Sequence, residues 1–328
     1  MIRIAQILCV GLATALSVPA AHVHAEDYPS RTITVVVGFG PGSTNDVRVR
    51  QIADRLAAVL GQPVIVENRP GASGTLGAGF VARARPDGYT LYYGGVTELA
   101  VEPLLRNDLP YDVLRDFQPI VRWGISPSVL VVSPDSGLRS IQDLLAKARA
   151  NPGKLTGGSA GTGSLTHLLL LQLNQQAGVD IVHVPYKNPA SGLMDVVGGH
   201  TTLAFDYMVS SGSLIAGGKL LPLMVVGDRR LSVLPEVPSA AEAGLPGVDR
   251  KGWAGFLAPR KTPKEIIRRL NAELVRLMRS PELVQVVAKS GAQIVAGTPE
   301  EFEAAIREEQ RKLAPLVKSL GLAEQGAR

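Results

Sequence analysis

The sequence predicts an α/β protein of two lobes, each a mainly parallel sheet flanked by helices. Three observations carry this. Short β-branched runs alternate with amphipathic stretches along the chain, the rhythm of βα units. Two strand-like runs, 118–121 and 128–132, follow each other with no helix between, which marks a crossing into a second lobe. Each half also carries a Gly-rich loop between a strand and a helix, at 38–44 and 157–164.

The first unit, 33–60, reads as strand, loop and helix. Residues 33–37 (ITVVV) suit a buried strand. Three glycines and a proline in 38–44 end it. Asn45 or Asp46 is expected to cap the next helix, whose apolar face is Val49, Ile52, Ala53, Leu56, Ala57 and Leu60. A helix entered from such a loop directs free N–H groups into a crevice at the sheet's carboxyl edge, and these can hold an anion. An ordinary βα turn explains the same pattern.

A strand follows at 63–66, a helix at 76–84, a turn at 86–88 and a strand at 89–93. A short helix is expected at 99–105, then the strands at 118–121 and 128–132. The second lobe repeats the pattern: helix 141–150, a helix opening at 166–173, strand 181–185, helix 190–197, and strands 202–205 and 221–226. A strand at 253–258 returns to the first lobe. Helices at 263–278, 281–290 and 299–320 each open on a proline, with Thr262, Ser280 and Thr298 at the cap positions. The expected division is 26–126 with 253–328 as one lobe and 127–252 as the other, with a cleft between them.

Residues 1–25 read as a secretory signal: Arg3, an apolar run at 4–18, and Val23-His24-Ala25 before the cut. The only cysteine, Cys9, lies inside it, so the exported chain relies on its core and not on disulfides. A bacterial periplasm is the expected site. No later stretch approaches a membrane span. With Arg3 set aside, 33 basic residues face 29 acidic ones, scattered along the chain. That balance suits an anionic ligand and gives no nucleic-acid footprint.

Several motifs bear on chemistry. Gly157-Gly158-Ser159-Ala160-Gly161 fits G-x-S-x-G, and Asp180, His183, Asp195 and His200 follow it, so an esterase built on Ser159 is one reading. The glycines continue through Gly163, which favours a binding loop offering donors from Ser159, Thr162 and Ser164. Gly77 to Ala82 fits G-x-G-x-x-A but starts far from a strand end, as small residues packing a helix do. His167, His183 and His200 lack zinc spacing, so no metal is expected. Asp206 either meets the cleft or caps the next helix.

Taken together, YPSRTITVVVGFGPGSTND, LGQPVIVENRPGASGTLGA, RPDGYTLYYGG, GTGSLTHL, VPYKN, FDYM, LPEVPSAAEAGLPG and TPEEF resemble the Bug-type receptors of tripartite tricarboxylate transporters, in family order across the chain. The resemblance implies a two-lobed, type II periplasmic-binding-protein-like fold with no catalytic residues and no cofactor. It implies a monomer that binds a small carboxylate between its lobes and passes it to integral membrane permease subunits. A receptor that reports to a signalling partner is the variant reading. By the same resemblance, the first loop contributes Gly42, Ser43, Thr44, Asn45 and Asp46. The second contributes Ser159, Gly161, Thr162, Gly163 and Ser164, and Thr97 and Asp206 border the cleft. The chain departs from the family pattern at Gly40, Ser43 and Asn45, and in GGVTELAVE with Glu98 and Glu102. An extra acid disfavours added negative charge unless it is paired or protonated. A mono- or dicarboxylate, aromatic ones included, is therefore expected before a tricarboxylate.

Overall fold

The computed structural model describes residues 28–320 and residue 322. The export signal expected at 1–25 lies outside them. The first unit forms as strand β1 (Ile33–Val37), loop and helix α1 (Thr44–Leu60). The cap is Ser43, not Asn45 or Asp46. Ser43 keeps an extended backbone, and its Oγ accepts the Asp46 amide at 3.4 Å, so the helix starts two or three residues earlier than expected. Gly61, at φ 70°, closes the helix with its N–H on the Ala57 carbonyl.

Next come β2 (Val64–Asn68), α2 (Thr75–Ala82) and β3 (Thr90–Gly95). A π-helical turn over Thr97–Val101 leads into α3 (Glu102–Leu105), where a plain short helix was expected. After α4 (Val113–Asp116), β4 (Phe117–Ser126) and β5 (Ser128–Val132) follow with Pro127 alone between them. Then come α5 (Ile141–Ala150), β6 (Leu155–Ser159), α6 (Leu165–Ala177), β7 (Ile181–Pro185), α7 (Pro189–Val197), β8 (Leu203–Tyr207), α8 (Met208–Ala216) and β9 (Leu221–Val225). The chain ends with β10 (Gly252–Pro259), α9 (Lys264–Met278), α10 (Pro281–Ala288), β11 (Gln293–Ile294) and α11 (Pro299–Ser319).

These strands make two sheets, of order β11-β4-β10-β3-β1-β2 and β7-β6-β8-β5-β9. The expected α/β architecture of two helix-flanked sheets is present. In each sheet four strands point one way. β10 reverses direction between β3 and β4, as β5 does between β8 and β9, and β11 also runs antiparallel to β4. The sheets are therefore mixed. Parallel ladders β2-β1-β3 and β7-β6-β8 carry the two Gly-rich loops at their carboxyl ends.

Ser280 and Thr298 cap α10 and α11, the latter through a capping box with Glu301. Thr262 does not cap α9. Pro263 occupies the cap position, and the Thr262 hydroxyl makes no hydrogen bond. The sequence sets no bounds for the helix after Asp206, because the Ser and Gly residues of α8 (MVSSGSLIA) are weak helix formers. Its position depends on packing, with Met208 buried beside Val129 and Ala204.

The core of the six-stranded body has two sides. Ile52 and Leu56 of α1 meet Leu270, Trp123 and Tyr93 on one; Val36, Tyr92 and Phe302 fill the other. Leu165 and Leu168 of α6 join that second side, so a helix of the five-stranded body is anchored in its neighbour. Gly77 sits where an added Cβ would lie 2.9 Å from the Gly38 Cα, which explains the small residues of α2 by close packing.

Candidate functional site

The loop after β1 is held from within. Asp46 accepts the Gly42 amide at 2.9 Å and Asn68 Nδ2 at 2.9 Å, and pairs with Arg50 at 2.9 Å. Burial opposes its ionisation, but the Arg50 hydrogen bond, the Gly42 amide and Asn68 together hold it below the usual carboxylate value. Asp46 is thus occupied as a brace, and Gly42 spends its N–H on it. The amides of Thr44 and Asn45 find no acceptor among the described residues. These are the helix's orphan donors.

The loop after β6 is built around Ser159. Its hydroxyl lies 2.6 Å from His183 Nε2, and it exchanges bonds with both the amide and the carbonyl of Gly161 at 3.1 Å. The His183 ring stacks on His167 at 3.8 Å. Burial pushes both imidazoles down to about 4, with His183 adding to the effect on His167. Gly163 donates its amide to His167 Nδ1 at 3.2 Å. Ser164 is fully buried and caps α6. Among the described residues no carboxylate bonds His183; Asp195 accepts from the Tyr186 hydroxyl at 2.7 Å instead.

The two loops face each other across a closed seam. Thr44 Oγ1 lies 3.0 Å from Ser210 Oγ, Ser73 donates to the Thr162 carbonyl at 2.6 Å, and the Leu165 amide donates to Thr97 Oγ1 at 3.2 Å. Two cavities open along this seam. A small one of about 50 Å³ takes Ser43, Thr44, Asn45, Thr97 and Asp206. A larger one of about 600 Å³ takes Gly161, Thr162 and Gly163, with Lys187 on the same side and Glu102 and Arg106 opposite. Phe39 and Ala160 line both. The smaller is lined by Thr44 and Asn45, whose amides lack acceptors among the described residues, and by the buried Arg48, Glu98 and Asp206. Gly42, Asp46 and Ser164 line neither cavity and hold the loops in place, and Ser159 lies behind Ala160 in a third, minor pocket.

Residues 48–322 match the model of the tripartite tricarboxylate transporter family receptor. The chain belongs to this family. It is 34% identical to protein BugT of Bordetella pertussis over 95% of its own length and 96% of that protein, and is a Bug-type receptor. Two solved structures of this fold share its architecture. Rpa4515 of R. palustris, solved with adipate, superposes at a TM-score of 0.87 with 33% identity, covering 90% of this chain and 99% of that one. MatC of Rhodopseudomonas palustris, with bound malate, superposes at 0.84 with 31% identity, covering 88% and 100%.

In this Bug-type receptor an arginine and two carboxyl side chains, Arg48, Glu98 and Asp206, line the small cavity. Glu98 is fully buried, accepts from the Tyr92 hydroxyl at 2.9 Å and from the Gly95 amide at 3.1 Å, and is pushed up to about 7 by burial. Asp206 accepts from Ser210 Oγ and is likewise raised to about 7 by burial. It does not cap α8, whose cap position is Tyr207. Glu102, beside the larger cavity, is raised to about 7, again chiefly by burial.

Sequence reading missed Arg48 and Trp123, which line the same small cavity. A signal for Arg48 was present. Residues 48, 52, 56 and 60 form one row along α1, and the other three are buried Ile, Leu and Leu. A charge at the head of such a row is buried by its neighbours' geometry. Trp123 had no such signal, because a tryptophan in a strand reads as core. Among the described residues no three His, Cys, Asp or Glu side chains gather as a metal site, and no helix is long and apolar enough to cross a membrane.

Proposed function

We propose that this chain is a periplasmic solute-binding receptor that captures a small carboxylate in the seam between its lobes and delivers it to integral membrane permease subunits. In this reading 26–126 with 253–328 form one lobe and 127–252 the other. The observation that carries it is the pair of unpaired amides, Thr44 and Asn45, at the α1 N-terminus in a seam closed by the second loop. Such amides suit a carboxylate without a basic side chain. Two relatives of the same fold were solved with adipate and with malate, both dicarboxylates. Ligand contacts to both lobes would shift an open–closed equilibrium toward closure. Calorimetry and thermal shift against mono-, di- and tricarboxylates test the reading. A folded protein that none of them stabilises would sink it. Pulldown with the membrane subunits tests the delivery step.

A hydrolase reading is favoured by one observation, the 2.6 Å contact of Ser159 with His183. Against it, His183 has no carboxylate orienter among the described residues, and the Ser159 hydroxyl is already engaged with Gly161 in both directions. Turnover of an activated ester, lost in Ser159→Ala, would establish it; its absence leaves the receptor reading alone.

A further inference from the structure

Arg48 carries a permanent positive charge and is 2% exposed. Its partners are all neutral. Nη1 donates to Gln51 Oε1 at 3.2 Å and Nη2 to Ser290 Oγ at 3.0 Å, while the guanidinium lies 5.8 Å from the centre of the Trp123 ring. Nε has no acceptor. Two residues on, the half-exposed Arg50 pairs with Asp46, whereas the buried Arg48 has no ion pair among the described residues. A buried ion with no counter-charge is costly to a fold. It is retained when something else supplies the charge.

Trp123 is also 2% exposed, and its indole Nε1 likewise has no acceptor. Two orphaned donors thus belong to residues lining one cavity, and buried orphans of this kind call for an explanation. The acids of the same cavity do not provide it. Glu98 is tied to Tyr92 and Gly95, Asp206 is tied to Ser210, and neither forms an ion pair with Arg48. The cavity therefore has amide donors at Thr44 and Asn45 and, one turn along the same helix, a cationic end.

Resting on the carboxylate-receptor reading above, we propose that Arg48 and the Trp123 indole form a second anchor for an anionic oxygen, which selects short dicarboxylates over monocarboxylates. Thr44 and Arg48 are separated by about 6 Å along the axis of α1. That span matches the two ends of a four- or five-carbon dicarboxylate. One carboxylate meets the helix amides and the other meets Arg48 Nε and Trp123 Nε1. The ligand enters when the lobes part, because the closed seam encloses only about 50 Å³. Arg48 is thus a specificity-determining residue at a position that the β1–α1 loop itself does not reach.

The test is calorimetry of the full chain with succinate against butyrate, and glutarate against valerate, which differ in the second carboxylate and not in length. The wild-type protein is expected to prefer each dicarboxylate by tenfold or more. Arg48→Met should abolish that preference while leaving the monocarboxylates within about threefold. Arg48→Lys should recover part of it, and Trp123→Phe should lose a smaller part. The ligand-free melting temperature of Arg48→Met should rise, since an unpaired ion has been removed; a purely structural arginine would lower it. Equal binding of succinate and butyrate by wild type, a uniform loss for both in Arg48→Met, or a lower melting temperature each overturns the proposal while leaving the receptor reading intact. Wild type binding no carboxylate at all overturns both. If Arg48→Met does not fold, Arg48→Lys and Trp123→Phe carry the test, and an undiminished dicarboxylate preference in both overturns the proposal.

Discussion

The Thr44 hydroxyl lies 3.0 Å from the Ser210 hydroxyl, and Ser210 in turn donates to Asp206. One side of this chain is the first turn of α1 and the other is α8, so a short polar relay ties the two lobes together at the mouth of the small cavity. The same threonine lines the cavity, and its backbone amide has no acceptor among the described residues. Thr44→Ala keeps the amide and removes the relay. Ligand affinity is expected to fall by about 1–2 kcal/mol, the scale of a hydrogen bond to a charged or desolvated group. Calorimetry with the best-binding carboxylate measures it; an unchanged Kd would mean that closure does not use this contact.

Asp206 makes the protein's stability depend on pH in a definite direction. Burial raises its carboxyl from the ordinary 3.8 to about 7. Below pH 3.8 it is protonated whether the chain is folded or not, and it costs nothing. Between there and pH 7 the unfolded chain releases the proton while the fold retains it, so stability falls as pH rises. The span sets a ceiling of about 4 kcal/mol at about 1.4 kcal/mol per pH unit. Asp206→Asn should therefore raise the melting temperature at pH 8 and change it little at pH 4. Glu98, raised to about 7 by the same cause, should behave alike in Glu98→Gln. Carboxylate binding is expected to tighten between pH 8 and pH 6, as both groups take up protons and their repulsion of the ligand is lost. Melting curves and calorimetry across that range check both statements.

Ser159 separates two uses of one hydroxyl. As a nucleophile it would have to be free of its loop. Here it holds the Gly161 amide and carbonyl and contacts His183 Nε2. Ser159→Ala is expected to weaken carboxylate binding by about 1–2 kcal/mol by loosening residues 160–163. Hydrolysis of an activated ester should stay at the buffer rate in wild type and variant alike. A wild-type rate above buffer that vanishes in the variant would reverse the assignment.

The alternation of elements was legible because strand and helix periods differ, and the succession of β4 and β5 showed as two strand-like runs without an intervening helix. The loops were legible for the same reason: glycine at 38, 40 and 42, and at 157, 158, 161 and 163, leaves little but a turn. What could not be read was the direction of β5 and β10, since a buried strand has the same composition either way up. Nor could the sequence separate donors that are free from donors that are spent. Asp46 and Asn45 are neighbours of similar shape, yet the first is consumed by Arg50, Asn68 and Gly42, while the second lines the cavity. That distinction depends on Asn68, which lies on another strand. Arg48 and Trp123 meet only when α1 packs on β4, a contact remote in sequence.

Gly163 offers a test of closure itself. It has φ 80°, and an added Cβ would lie 2.6 Å from Glu102 Oε1 and 2.7 Å from Leu105 Cδ1, both on the opposite lobe. Gly163→Ala thus combines two effects, backbone strain of about 1–2 kcal/mol in the left-handed region and a clash across the seam. Gly178, at the end of α6, has φ 61° with nothing within 4 Å of the same added atom. Gly178→Ala therefore reproduces the strain without the clash. Both variants should melt at lower temperature than wild type. Gly163→Ala alone should lose about tenfold or more in carboxylate affinity, the loss expected if closing now costs about 1.4 kcal/mol more. It should also show a larger radius of gyration by small-angle scattering in the presence of ligand. Equal affinity in the two variants would place Gly163 outside the contacts that close on the ligand, and closure would then have to be governed by the Thr44–Ser210 side of the seam.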